Sequence, residues 1–145
     1  MADTALLNET ERDALAAALD DEYKSHTTYQ QVINDFGPVR PFINIVEAEA
    51  RHISALLALA DRYGIAPRDN RWDGRTPRFG SIQDACVAGV QAEIENVALY
   101  DRLIQSTQRL DILTVFQSLR SASQDRHLPA FRRCSERGAH GGRGA

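Results

Sequence analysis

Several features that mark particular classes of protein are scarce or absent in this sequence. Two cysteines are too few for a disulfide-dependent scaffold, and they lack the close spacing of a zinc knuckle. No apolar run approaches the roughly 18 residues that a membrane span needs. Residues 1–7 lack the charged and apolar regions of a secretion signal. We therefore expect a cytoplasmic protein that does not enter a membrane.

Other absences exclude particular ligands and reaction types. The 17 basic residues are outnumbered by 20 acidic ones, for a net charge of −3, so no basic excess favours nucleic acid. A Gly-rich phosphate loop, a Ser-His-Asp order and a CxxC pair are all missing, which leaves nucleotide chemistry and serine or cysteine hydrolysis without support. With 145 residues, 43% of them hydrophobic, the chain is typical of one globular domain. We predict that domain over residues 1–136, followed by a disordered, low-complexity tail over 137–145.

What the sequence does contain is four long helical patterns. Residues 10–35 hold no Gly or Pro, and their apolar positions recur at spacings of three and four. Gly37-Pro38 ends this first helix, and a second antiparallel helix runs from about Pro41 to Gly64. The third helix begins at a capping sequence at Ser81 and reaches about Thr107.

The fourth helix is predicted to follow a turn near Leu110, with Asp111 as its N-cap. Pro129 falls inside it, so we expect a bend or a free carbonyl near His127. Between helices two and three, residues 65–80 form a loop of 16 residues rich in Pro, Gly and polar side chains. Such a loop can reach about 50 Å, more than the length of these helices, so it can cross the whole bundle.

Each helix carries ionisable residues on its apolar stripe, where a bundle normally buries leucine. They are Glu22 and His26, then Glu49 and His52, then Glu93, and finally His127. Glu22 lies 15 residues before Gly37 and His52 lies 15 residues after it, so the two share one level. Glu93 and His127 each lie 17 residues from Leu110 and also share a level.

Buried carboxylates and imidazoles are unfavourable unless they are paired or bound to metal. One interpretation is a set of hydrogen-bonded pairs, and a single histidine such as His26 is more often a core or boundary residue. The other is a metal site, because iron, manganese and zinc accept carboxylate oxygen together with imidazole nitrogen. Four helices that each supply such a residue favour the metal site, as in the di-iron carboxylate bundles. Tyr23, Tyr29 and Tyr100 are interpreted as packing residues, with the alternative that a tyrosine near a metal hydrogen-bonds a ligand or carries a radical.

With these residues in place, the sequence resembles the ferritin-like superfamily, and within it a bacterial ferritin-like domain family of uncharacterised function. The resemblance spans about residues 15–134, and its specific part is the segment from Phe42 to His52. It implies an all-α, ferritin-like four-helix bundle with a long crossover between helices two and three, holding two iron ions or related metals such as manganese or zinc. By position, the implied ligands are Glu22, Glu49, His52, Glu93 and His127.

One position departs from the superfamily pattern. Gln124 stands three residues before His127, where the pattern has glutamate, and is a neutral ligand at best. Two divalent ions would then face three carboxylates, so His26 is an alternative donor, or only one ion binds well.

The expected function is reaction of the metal pair with dioxygen, peroxide or ferrous ion. A homodimer is also possible, since related bundles often pair through their first two helices. The alternative is a structural or interaction module with one structural zinc ion or none, whose polar layer sets the helix register.

The two cysteines lie at matching positions on helices three and four. Cys86 is seven residues before Glu93 and Cys134 is seven residues after His127, which places both two turns from the polar layer at the same end. We therefore predict that they are close to each other. Two buried thiols are favoured in a reducing cytoplasm, and a disulfide is the alternative.

Overall fold

The computed structural model describes residues 6–144, with side chains through Arg137. Five helices account for most of this range: α1 Glu9–Phe36, α2 Phe42–Arg62, α3 Ile82–Leu103, α4 Leu110–Ala122 and α5 Leu128–Gly144. A five-residue π-helical turn, Ser123–His127, joins α4 to α5, so the two form one continuous segment. Within the described range the chain is thus all-helical, with four long segments packed as a bundle, as predicted. The predicted tail over 137–145 falls almost entirely outside the described side chains and stays a prediction.

The first helix begins at a complete capping box. The Asn8 side chain accepts a hydrogen bond from the Glu11 backbone N–H at 2.8 Å, and the Glu11 carboxylate accepts one from the Asn8 N–H at 3.1 Å. The helix ends at Gly37, whose φ of 93° suits glycine. Helix α3 begins as predicted, with the Ser81 hydroxyl accepting from the Asp84 N–H at 3.0 Å.

The predicted N-cap of α4 is wrong. The helix begins at Leu110 with Arg109 at the cap position, two residues before the predicted cap. Asp111 instead lies in the first turn, where it accepts hydrogen bonds from the Tyr63 hydroxyl at 2.7 Å and from Arg62 at 3.0 Å. These tertiary contacts tie the start of α4 to the end of α2.

The hydrophobic core consists of two clusters with a polar layer between them. One cluster includes Leu15, Leu59, Leu103 and Phe116, and the other includes Tyr29, Phe42, Cys86 and Phe131. On α1 the side chain between the two clusters is Glu22, on α2 it is Glu49, on α3 it is Glu93, and on the fourth segment it is His127. The polar layer therefore crosses the whole bundle near its middle.

The connection between α2 and α3 lies along α1. Arg71 donates to Asp20 through Nε and Nη2 at 2.9 and 3.0 Å, Asn70 donates to Thr27, and Arg78 pairs with Asp35. Trp72 is held there as well, since the Arg71 guanidinium lies 4.5 Å from its ring centroid. The loop arginines Arg71 and Arg78 thus anchor this segment through ion pairs with α1.

The two cysteines are adjacent, as their matching distances in sequence from Glu93 and His127 predict. Cys86 and Cys134 form a disulfide with a Cα–Cα distance of 5.9 Å, so the favoured interpretation as two thiols is wrong. The bond ties the beginning of α3 to α5. No helix among residues 6–144 combines the length and the apolar character that crossing a membrane requires.

Candidate metal centre

All five predicted ligands meet in the polar layer. Glu22, Glu49 and Glu93 are at most 1% exposed, and His127 is 4% exposed. His52 is the most accessible of the five, with 13% of its side chain exposed. The level counting along antiparallel helices therefore predicted correctly which side chains meet.

The five side chains form two groups that share Glu49. In the first, His52 Nδ1 lies 2.9 Å from Glu22 Oε1 and 3.6 Å from Glu49 Oε2. In the second, His127 Nδ1 lies 3.3 Å from Glu49 Oε1 and 3.4 Å from Glu93 Oε1. Each group offers three ligand atoms that lie within 4.8 Å of one another. Because Glu49 presents a different oxygen to each group, it is in position to bridge two ions.

Several atoms of this cluster lack the hydrogen bonds that buried polar groups normally have. Both carboxylate oxygens of Glu49, Oε1 of Glu93 and Nδ1 of His127 have no hydrogen-bond partner within the described part of the chain. The contacts of His127 at 3.3 and 3.4 Å are ion-pair distances without hydrogen-bond geometry. Buried polar atoms are usually satisfied, and one cation in each of the two groups would satisfy all four. The donor set of three carboxylates and two imidazoles fits iron, manganese or zinc.

Two tyrosines hold the outer oxygens of the carboxylates. The Tyr100 hydroxyl donates to Glu22 Oε2 at 2.8 Å, and the Tyr29 hydroxyl donates to Glu93 Oε2 at 2.7 Å. Each tyrosine lies seven residues after one glutamate and bonds the glutamate of the other helix. Both hydroxyls are therefore more than packing groups: they orient Oε1 of each carboxylate toward the histidines. The equal spacing of seven residues on α1 and α3 was a signal in the sequence that pointed to paired roles.

The carboxylates and histidines of the polar layer shift one another's pKa values. Burial, followed by the charge of Glu49, raises the pKa of Glu22 to about 8. Burial would also raise the pKa of Glu49, but the neighbouring side chains of Glu22, His127 and His52 outweigh it and lower that pKa. Burial opposes protonation of His52 and His127, yet the neighbouring carboxylates raise the pKa of each to about 9. Protons on the histidines thus supply the positive charge that a metal would otherwise provide.

Both predicted alternative ligands, Gln124 and His26, lie outside the cluster. Gln124 is exposed to solvent, because the π-helical turn buries Ser123 in its place. This turn ends just before Pro129, which lacks the N–H that a regular helix would use there. His26 is half-buried and belongs to neither ligand group; its pKa is lowered by burial, opposed by the charge of Asp73 in the loop. Neither residue replaces the missing glutamate.

Asn96 and Asp21 are polar residues near the site that sequence reasoning missed. Asn96 lies one turn beyond Glu93, is 2% exposed, and has hydrogen-bond partners on neither Oδ1 nor Nδ2. Asp21 precedes Glu22 and has a buried Oδ2 without a partner. Burial, then the charges of Glu22 and Glu93, raises the pKa of Asp21 to about 7. Asparagine in a helix interior carries no spacing signal, so its burial was visible only in the folded chain.

Comparison with known proteins provides a fold but no function. The chain is similar to the crystal structure of the hypothetical protein MJ0754 from Methanococcus jannaschii DSM 2661, with a TM-score of 0.81 and 24% sequence identity. The match covers 92% of this chain and 83% of that chain. No protein-family model and no curated protein matches the sequence. The likeness therefore supports the bundle architecture alone, and the chemistry rests on the site itself.

Proposed function

We propose that this chain is a ferritin-like four-helix bundle with a long crossover between its second and third long helices. Two observations support this assignment. Helices α2 and α3 both begin in the core cluster of Phe42 and Cys86, and both end in the cluster of Leu59 and Leu103, so they run in the same direction. The connection between them has polar contacts with α1 at Asp20, Thr27 and Asp35, as a segment returning along the bundle would.

We further propose that the polar layer binds two non-haem iron or manganese ions and reacts with dioxygen, peroxide or ferrous ion. The observation that carries this proposal is Glu49, whose two unpartnered oxygens face two separate ligand groups. When bound, a pair of redox-active ions supplies the electrons for reduction of an oxidant such as dioxygen.

The chain's own residues would supply position and shielding. Glu22 and Glu93 each present one oxygen to the site, while Tyr100 and Tyr29 hold the other oxygen by a hydrogen bond. The core clusters above and below the layer limit the entry of water from both ends of the bundle. His52 is the ligand on the accessible side.

Metal analysis after anaerobic loading with ferrous ion tests the proposal. We expect about two iron ions per chain, as in other di-iron bundles, and loss of most of this iron in Glu49→Ala because both groups lose their shared ligand. Glu47→Ala is the matched control, since Glu47 lies on the same helix but is exposed. Iron near zero in the wild type, or iron unchanged in Glu49→Ala, would refute the metal site.

Zinc titration and measurement of oxygen consumption with ferrous ion distinguish the alternative function. A structural or interaction module would bind one zinc ion tightly, or no ion, and would consume no oxygen when ferrous ion is added. The hydrogen bond between His52 and Glu22 at 2.9 Å is compatible with that alternative, because it pairs two ionisable groups without a metal. The unpartnered oxygens of Glu49 favour the two-ion site instead.

A further inference from the structure

A groove between α2 and the α4–α5 segment leads to the two histidines of the polar layer. Its volume is about 690 Å³, and His52 and His127 both line it. His52 is also the most exposed of the five proposed ligands. The groove is therefore an open approach to the layer from the side of the bundle.

The charge of this groove is one-sided. Among the residues that the structure describes, it is lined by five arginines, Arg40, Arg51, Arg126, Arg133 and Arg137, and by no aspartate or glutamate. The whole chain has only 17 basic residues and a net charge of −3, so this concentration is local. By contrast, the larger cavity of about 830 Å³ beside the N-terminal half of α1 combines Arg12, Arg68 and Arg71 with three aspartates.

The groove arginines differ from several other arginines of the fold in lacking ion pairs with the described residues. Within the described residues none of the five forms an ion pair, whereas Arg62, Arg71, Arg78, Arg109 and Arg120 are all paired with acidic side chains. Uncompensated positive charge along a concave surface attracts anions and raises their local concentration. Guanidinium groups in particular match the geometry of carboxylate and phosphate, which they bind through two hydrogen bonds.

The arginines also lie at two distances from the histidines. Arg51 and Arg126 each directly precede one of the histidines in sequence. Arg133 and Arg137 lie six and ten residues beyond His127, or about 9 and 15 Å along a helix axis. An anion with more than one charged group could thus contact the outer arginines while another part of it lies beside His52 and His127.

We infer that this groove binds a small multivalent anion bearing carboxylate or phosphate groups, and that this anion is the substrate delivered to the polar layer. Anion binding rests on the arginines alone, while the role as substrate rests on the proposed metal function. The two claims can therefore fail separately.

The test is calorimetric titration of the metal-free, full-length protein at low ionic strength, with pyrophosphate in one arm and citrate in the other. The two arms distinguish phosphate from carboxylate recognition, and metal-free protein avoids chelation of bound ions by either probe. We expect saturable binding of at least one probe. In the double variant Arg51→Gln, Arg126→Gln the affinity should fall at least about tenfold, because charge-assisted hydrogen bonds are lost.

A matched double variant, Arg68→Gln with Arg75→Gln, removes the same charge from the exposed loop and should leave affinity within about twofold. In nitrogen-resolved spectra of the histidine rings, the signals of His52 and His127 should move on titration while those of His26 stay. Three results would overturn the proposal: saturable binding of neither probe, an equal loss of affinity in both double variants, or binding of a single-stranded oligonucleotide without binding of either small anion. Absence of iron from the loaded protein would instead refute the metal proposal and leave the binding result intact.

Discussion

Reduction of the Cys86–Cys134 disulfide should destabilise the protein by several kcal/mol without unfolding it. The bond closes a loop with a sequence separation of 48 residues. In the chain-entropy model a loop of this length restricts the unfolded state enough to stabilise the fold by ~4 kcal/mol. Both cysteines are buried, at 0% and 5% exposure, so the thiols remain packed as small apolar groups after reduction.

The assay is thermal and urea unfolding of the metal-free protein with and without reductant. For a domain of this size, ~4 kcal/mol corresponds to a decrease in Tm of about 8–16 °C. The double variant Cys86→Ala, Cys134→Ala is the control and should not respond to reductant. Thiol counting on the denatured, unreduced protein should find no free thiol.

Two results would refute this reasoning. Two free thiols in the unreduced protein would mean that the bond does not form under the conditions of preparation. An intact bond whose reduction changes the free energy of unfolding by less than about 1 kcal/mol would mean that the unfolded chain is not restricted as the model assumes. Iron content should stay unchanged on reduction, since Cys86 and Cys134 lie two turns from the polar layer.

Four further predictions follow from the site and the core. Tyr29→Phe and Tyr100→Phe should each weaken iron binding about 10–100-fold, because each removes the hydrogen bond that orients a carboxylate of the proposed site. Competition with a chelator measures the affinity, and Tyr23→Phe is the control. The metal-free protein should lose stability in urea unfolding as pH rises from about 6.5 to about 9, since the raised pKa values of His52 and His127 contribute stability only while the folded histidines stay protonated. Iron affinity should rise over the same pH range, because a metal binds the deprotonated histidines. If stability and iron affinity instead changed in the same direction with pH, protons and iron would not compete for the same histidines. Gln124→Glu should leave iron stoichiometry unchanged, because residue 124 is exposed, and a gain of iron would mean that the π-helical turn rearranges. Gly89→Ala should destabilise the fold by about 1–3 kcal/mol, although alanine has the better helix propensity, because the new Cβ would lie 2.7 Å from the buried Phe131 ring. Gly80→Ala is the control in the same unfolding assay, since a Cβ added there would lie no closer than 3.7 Å to another side chain.

The helices and the residues of the polar layer were predictable because both depend on local periodicity. Apolar residues at spacings of three and four define one face of each helix, so Glu22, Glu49 and Glu93 were recognisable as exceptions on that face. Antiparallel helices rise equally per residue on both sides of a turn, so counting from Gly37 or Leu110 predicted which of these residues share a level. The same counting predicted the contact between Cys86 and Cys134, which the structure confirms.

The details that depend on three-dimensional packing were decided only by the tertiary structure. The sequence indicated that Pro129 would disturb its helix, but only the folded chain absorbs this in a π-helical turn that exposes Gln124 and buries Ser123. Asp111 could cap a helix in sequence terms, yet its contacts with Tyr63 and Arg62 come from another helix. The tyrosine hydroxyls bond glutamates 64 and 78 residues away, and no local pattern specifies such partners. Likewise, the groove arginines come from separate segments of the chain, so their common positive surface exists only once α2 and the α4–α5 segment are packed side by side.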